Sequence, residues 1–355
     1  MLCSAMPYYT PLRYPGGKRR LVPVVTRLLK ENGLKDVHYA EPYAGGAAIG
    51  LSLLFDEYAS VIHINDLSRA VYAFWHTVLD ENAELCRRIE RVKVTMAEWR
   101  RQRAVYEAQD SANLIELGFA AFFLNRTNRS GIIGGGVIGG QQQTGPWGID
   151  ARFTKEDLVQ RIRRIGRYRS RINLYQQDAL KFTSDVVAQL GANVFTFYDP
   201  PYIANGVDLY LNGYTIDDHR ELAARIGLMQ QPWVVTYDHT AVREQLYPIH
   251  RRLMFGLKYT AQSRYEGREV MFLSDRLRVP SGWASGRSVV IARPSRGVTV
   301  YGKMENVKPH PEMNEGPSVF DRFQKAMKTI IAVPKDAVAE RPKPQKKKRA
   351  RAPRK

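Results

Sequence analysis

Val37-His38-Tyr39-Ala40-Glu41-Pro42-Tyr43-Ala44-Gly45-Gly46-Ala47 runs from an apolar segment into a turn of small residues. Val37 to Ala40 reads as a short strand. The Gly/Ala turn after it lets backbone approach a ligand closely. A helix starts at Ala47 and runs to Leu54. Ala59 to Ile64 is a second apolar strand, and Ala70 to Leu79 a helix with aromatics inside. This β-turn-α-β-α order opens a parallel, doubly wound α/β sheet.

Working outward, the alternation breaks from about residue 85 to 185. That stretch holds two helical segments, Leu114 to Leu124 and Lys155 to Arg171, around a Gly/Gln-rich loop from Gly131 to Gly148. A loop of that length within a compact fold is usually functional or disordered. The α/β pattern then resumes with a strand at Val194 to Tyr198, a helix at Asp217 to Leu228, and strands at Trp233 to Tyr237 and Val270 to Ser274. Ser288 to Ala292 and Val298 to Tyr301 suggest a small appended hairpin. Phe320, Phe323, Met327 and Ile330 lie at helical spacing, so Val319 to Ile331 is expected to be an amphipathic helix. No internal repeat is visible.

The chain has 355 residues, two cysteines (Cys3 and Cys86) and a net charge of +19. Two cysteines exclude a disulfide framework. No Cys/His pattern has metal-ligand spacing, so no metal is expected. No apolar run approaches the roughly 20 residues of a membrane helix. Met1 to Lys18 lacks the apolar core of a signal peptide. A soluble, cytoplasmic, nucleoid-associated protein is expected. Charge of this size points to a polyanionic partner. Nine Lys or Arg and no acid lie between Arg341 and Lys355. That tail reads either as a disordered, solvated terminus or as a nonspecific phosphate contact.

Two motifs carry chemistry. Glu41 to Ala47 follows a strand, and Asp66 stands at the end of the next strand, about 20 residues on, where an acid can hold ribose hydroxyls. Alone, this pair marks a nicotinamide or ATP site equally well. Asp199-Pro200-Pro201-Tyr202 directly follows the strand Val194 to Tyr198. Two prolines stiffen the turn and remove two N–H donors. The carbonyls and the Asp199 carboxylate are acceptors, and Tyr202 supplies a flat ring. Two acceptors and one stacking face suit the exocyclic amine of an aromatic base.

With these motifs in hand, the chain resembles the Dam-type (D12 class) adenine-N6 DNA methyltransferases from about Pro11 to Ser274. Tyr14-Pro15-Gly16-Gly17-Lys18 is similar to the family's N-terminal Gly-Gly-Lys motif. Glu41 to Ala47 is similar to its Glu-Pro-Phe-x-Gly cofactor motif, with Tyr43 in place of Phe and Ala47 where a second Gly is frequent. Asn65-Asp66 resembles its ribose-binding acid, and Asp199 to Tyr202 its catalytic tetrad. Phe123-Leu124-Asn125-Arg126 to Gly131 is similar to a segment preceding the family's target-recognition region, and Asp178 to an acid ahead of the catalytic strand. The motif order is that of the alpha arrangement.

The resemblance implies a Rossmann-like methyltransferase core over residues 1–84 and 186–280, with a target-recognition insert over 85–185. A C-terminal extension over 281–334 and a disordered basic tail over 335–355 would follow. It implies S-adenosyl-L-methionine as co-substrate, no metal, and transfer of methyl to the N6 amine of adenine in double-stranded DNA. Asp199, Pro200, Pro201 and Tyr202 would be catalytic. Tyr14, Lys18, Glu41, Gly45, Asp66 and Asp199 would line the cofactor pocket. Lys18 also reads as a surface phosphate-binding lysine, and Tyr14 as core packing.

For recognition, Arg161, Arg163, Arg164, Arg167, Arg169 and Arg171 crowd one stretch with no acid between them, which favours phosphate contact. Asn125, Arg126, Asn128 and Arg129 are residue types that read base edges, and Gln141 to Gln143 read either that way or as linker. The tetrad does not itself separate DNA from RNA. A nucleic-acid-binding protein with an inactive core and an unrelated nucleotide-binding oxidoreductase are the further alternatives. A monomer is expected, in a prokaryotic, phage or mobile-element setting. A cognate restriction enzyme is left open.

Overall fold

The computed structural model describes residues 8–13, 18–201, 214–238, 246–260, 264–280, 290–292 and 299–301, with backbone alone over 255–260, over 264–268 and in the last two segments. Tyr14, Tyr202, the expected helix Val319 to Ile331 and the basic tail lie outside the described residues.

Among the described residues the strands form one nine-stranded sheet in the order β3-β2-β1-β4-β5-β7-β6-β8-β9. Its parallel part comprises β1 (Val37–Glu41), β2 (Ala59–Asn65), β3 (Ile172–Tyr175), β4 (Val194–Tyr198) and β5 (Trp233–Asp238). Strand β7 (Arg264–Leu273) runs antiparallel between β5 and β6 (Arg251–Thr260). The short β8 (Val290–Ala292) and β9 (Thr299–Tyr301) pair with each other, and β8 continues the sheet alongside β6. The order reverses between β1 and β4. In an open parallel sheet the crevice for a ligand lies at such a point, beyond the carboxyl ends of the strands.

Strand side chains alternate between faces, and the core follows that alternation. Tyr39, Phe195, Phe197, Val234, Met271 and Leu273 join a large hydrophobic cluster with α1 (Val22–Glu31), α2 (Ala48–Phe55) and α3 (Arg69–Asp80). Val194, Tyr198, Trp233, Val235, Val270 and Phe272 turn the other way, toward α8 (Ala179–Asp185) and α9 (Ile216–Gly227). Local chemistry starts the helices. Ser68 caps α3, Asp178 caps α8, and Thr215 with Asp218 forms a capping box on α9.

The helices of the expected insert are α4 (Asn82–Arg91), α5 (Met96–Glu107), α6 (Leu114–Thr127) and α7 (Lys155–Arg167). They share the large cluster with the sheet through Leu85, Ile89, Phe122, Leu158 and Ile162. Helix α6 is buried from Leu117 to Thr127. Gly118 lets it meet α3 closely, since a Cβ there would lie 2.2 Å from Thr77 Oγ1. The insert boundary at residue 185 requires correction, because β3 pairs with β2 and belongs to the core sheet. The arginines flanking Ile172 to Tyr175 disguise so short a strand. No helix among the described residues is long and apolar enough to cross a membrane.

Candidate active site

Glu41, Asp66 and Asp199 stand at or just beyond the carboxyl ends of β1, β2 and β4, where the doubly wound order puts its crevice. The turn between β1 and α2 is held from several sides. Gly45 N–H donates to Asp66 Oδ2 at 2.9 Å, and Trp75 Nε1–H donates to Gly45 O at 2.8 Å. Asn65 Nδ2 donates to the carbonyls of Pro42 and Gln177, tying the exits of β1 and β3 together. Ala47 completes the turn with φ 45° and ψ 36°, a left-handed conformation that glycine adopts without strain.

Both oxygens of Asp66 accept a backbone N–H, Oδ2 from Gly45 and Oδ1 from Ser68 at 2.9 Å. Each carboxylate oxygen keeps a second lone pair for a ligand hydroxyl. Burial pushes Asp66 up to about 6 against those two hydrogen bonds. Glu41 is buried. Its Oε1 accepts from Tyr39 OH at 2.9 Å, and its Oε2 has no partner among the described residues. Burial pushes it up to about 8. A buried, unmatched carboxylate oxygen suits a cationic or amine-bearing ligand group.

Lys18 opens the turn before α1 and is buried. Its Nζ lies 3.3 Å from Asp199 Oδ1 and 3.1 Å from Glu269 Oε1. Burial alone would depress the ammonium, but the two carboxylates outweigh it and hold its pKa above the usual lysine value. Asp199 Oδ1 also accepts from Thr236 Oγ1–H at 2.8 Å. Its Oδ2 has no hydrogen bond among the described residues, and the side chain is 26% exposed. Burial raises the Asp199 pKa to about 6; Lys18 pulls it down and Glu269 pushes it up. Pro200 is buried and Pro201 half-buried.

Thr236 and Glu269 were not anticipated from sequence. A signal existed for Glu269. It heads the apolar run Val270 to Leu273, at a position whose alternation points toward the core. Lys18 is placed against the Asp199 carboxylate, and the surface reading of this lysine is excluded by its burial. Asp178 Oδ1 accepts from the N–H groups of Leu180 and Lys181 and so caps α8.

The expected base-reading residues sit elsewhere and are largely consumed by the fold. Asn125 is fully buried. Its Oδ1 accepts from Arg13 N–H, and its Nδ2 donates to the carbonyls of Arg13 and Gly131. Asn128 is equally buried. It accepts from Trp99 Nε1–H and donates to Ile132 O and Ile133 O, pinning the start of the glycine-rich loop. Neither carboxamide is available to a base edge, so that expectation is corrected for both. Arg126 is buried and its Nε–H donates to Arg152 O. Arg161 pairs with Asp157, and Arg164 stacks 4.5 Å over both Tyr9 and Phe55. Arg129 is exposed, as are Gln141, Gln142 and Trp147, whereas Gln143 is bonded within the loop. Among the described residues no group of three or more His, Cys, Asp or Glu could hold a metal ion.

No curated protein matches the chain. Among solved structures it is similar to the rRNA methyltransferase aviRa from Streptomyces viridochromogenes, at 14% identity and a TM-score of 0.32, covering 74% of this chain and 86% of that one. Residues 14–254, well over half of the sequence, match the D12 class N6 adenine-specific DNA methyltransferases, the family to which this chain belongs.

Proposed function

We propose that the chain transfers methyl from S-adenosyl-L-methionine to N6 of an adenine flipped out of duplex DNA, with Asp199 Oδ2 as the acceptor that activates the amine. The observation that carries this reading is the asymmetry of the Asp199 carboxylate. Lys18 and Thr236 occupy Oδ1, and Oδ2 is left over beside a proline-stiffened turn.

The adenine amine is a weak nucleophile because its lone pair is delocalised into the ring. Asp199 Oδ2 and the Pro200 carbonyl accept hydrogen bonds from its two N–H groups and draw nitrogen toward tetrahedral geometry. Tyr202 stacks on the base. Methyl transfer leaves N6 positively charged, and Asp199 Oδ2 stands ready to take the departing proton. Positioning and fixed charge supply the acceleration, and no covalent intermediate on the protein is needed.

The residues at the strand ends fit the methyl donor. The unmatched Glu41 Oε2 suits the amino group of its methionine part, and the spare lone pairs of Asp66 suit its ribose hydroxyls. When bound, S-adenosyl-L-methionine supplies an electrophilic methyl on a positively charged sulfur. Glu41, neutral below about 8 while buried alone, ionises against a cationic group and so favours it. Gly45 lets the backbone lie close to the donor. Arg129, Gln141, Gln142 and the exposed Trp147 are surface groups of the loop region suited to contact with the duplex. The chain acts as a monomer.

The test is methyl transfer with purified full chain, S-adenosyl-L-methionine and unmethylated duplex DNA, with RNA in parallel, read by mass spectrometry of the nucleosides. N6-methyladenine in the DNA is expected. Methylation confined to RNA would replace the substrate. Duplex binding without any methylated base would leave a binding protein with an inactive core.

A further inference from the structure

We propose that Glu269 is a positioning residue for methyl transfer: its buried carboxylate holds the Lys18 ammonium, which in turn fixes Asp199 Oδ1 and leaves Oδ2 to accept from the target amine. This rests on the reading of Asp199 as the amine's acceptor.

Met271 and Leu273 face the large cluster, and Val270 and Phe272 face the other side. Glu269 therefore sits on the large-cluster face, the same face as Tyr39 and Thr236, and is fully buried. An apolar residue is the default there. A carboxylate in such a place is costly unless it is paired and hydrogen-bonded. Its partner is Lys18 at 3.1 Å, in a turn 251 residues away in sequence.

The ammonium is shared. A lysine is a point charge on a flexible four-carbon stem with three donors, so one carboxylate alone fixes it poorly. Held between Glu269 Oε1 and Asp199 Oδ1, at 3.1 and 3.3 Å, it is tethered from two strands. Thr236 adds a second donor to the same Asp199 oxygen from β5. Rotation of the Asp199 carboxylate would break both bonds, so its two oxygens keep distinct roles. Glu269 touches neither base nor methyl donor in this scheme; the alignment it supplies runs through Lys18, while its charge also reaches Asp199 directly and pushes the Asp199 pKa up.

The test compares single-turnover methylation of duplex DNA by wild type, Glu269→Gln, Lys18→Met and the double variant, with Asp199→Asn as control. Binding of S-adenosyl-L-methionine and of duplex is measured separately, and cooperative melting certifies folding. Glu269→Gln is expected to lower the methyl-transfer rate by about a hundredfold while both affinities stay within about threefold, the signature of lost alignment. The double variant is expected to be no slower than Lys18→Met, because the alignment that Glu269 supplies runs through Lys18. A folded Glu269→Gln within about threefold of the wild-type rate, or rate losses that multiply in the double variant, would overturn the proposal. Where Glu269→Gln does not melt cooperatively, Lys18→Met against the double variant decides alone. A double variant as fast as Lys18→Met or faster supports the proposal, and a further loss refutes it. An active Asp199→Asn would sink the underlying reading of Asp199, whatever Glu269→Gln does.

Discussion

The strand-end pocket and the arginine-rich stretch from 161 to 171 are both crowded with charge, and they spend it differently. At the strand ends, Lys18 and Thr236 converge on one oxygen of Asp199, and the other oxygen has no hydrogen bond among the described residues. Along the stretch, Arg161, Arg163, Arg169 and Arg171 close on Asp157, Glu90, Asp80 and Glu57, and Arg164 lies over two rings. The strand-end site keeps an acceptor without a hydrogen bond among the described residues. The arginines are mostly braces between segments distant in sequence. Residue type alone does not separate the two uses; what remains unpaired and accessible does.

The largest expected effect is on the pocket's internal ion pairing. Lys18→Met leaves two carboxylates without their shared cation and should cost about 3–5 kcal/mol of stability, read by denaturant unfolding. Little change would mean that the triad is solvated and that the contrast with the surface arginines is false. Next comes Asn128, which the structure makes a buried brace. Asn128→Ala should cost about 1–3 kcal/mol while leaving target preference unchanged in the molecules that fold. Altered sequence preference at unaltered stability would return Asn128 to base reading.

The pH dependence of stability follows from Glu41. Its unfolded value is the ordinary 4.5 and its folded value about 8, so between these the native state holds the extra proton and stability falls as pH rises. Asp66 and Asp199, raised to about 6, slope the same way over a narrower window. Glu41→Gln should flatten the decline in melting temperature from pH 4.5 to 8. A decline as steep as wild type would mean that Glu41 is solvated. The smallest effect separates two arginines. Arg129→Ala should lower the salt slope of duplex binding by about 1, and Arg164→Ala should leave it unchanged. Equal slopes for both variants would put α7 back on the DNA.

Much of the fold was legible because its signals are local. Strand β1, the glycine turn, α2 and β2 follow from apolar runs and small residues within thirty positions, and Asp199 inherits its place from the buried strand before it. Strand β3 was hidden by its four-residue length and flanking arginines, and β6 by its basic start at Arg251-Arg252. The asparagines were misassigned for another reason. Carboxamides that read base edges are also those that satisfy buried carbonyls, and only packing reveals that Asn125 and Asn128 do the second. Glu269 was missed because its partner is remote in sequence, although a carboxylate at an inward-facing strand position was a visible anomaly.

If Asp199 Oδ2 is the acceptor that activates the target amine, the single-turnover methylation rate of Asp199→Asn, a change that keeps shape and removes charge, must fall. A loss of about 10²–10³-fold, with duplex and S-adenosyl-L-methionine binding retained, is the predicted result. A folded variant that methylates adenine at close to the wild-type rate would contradict it.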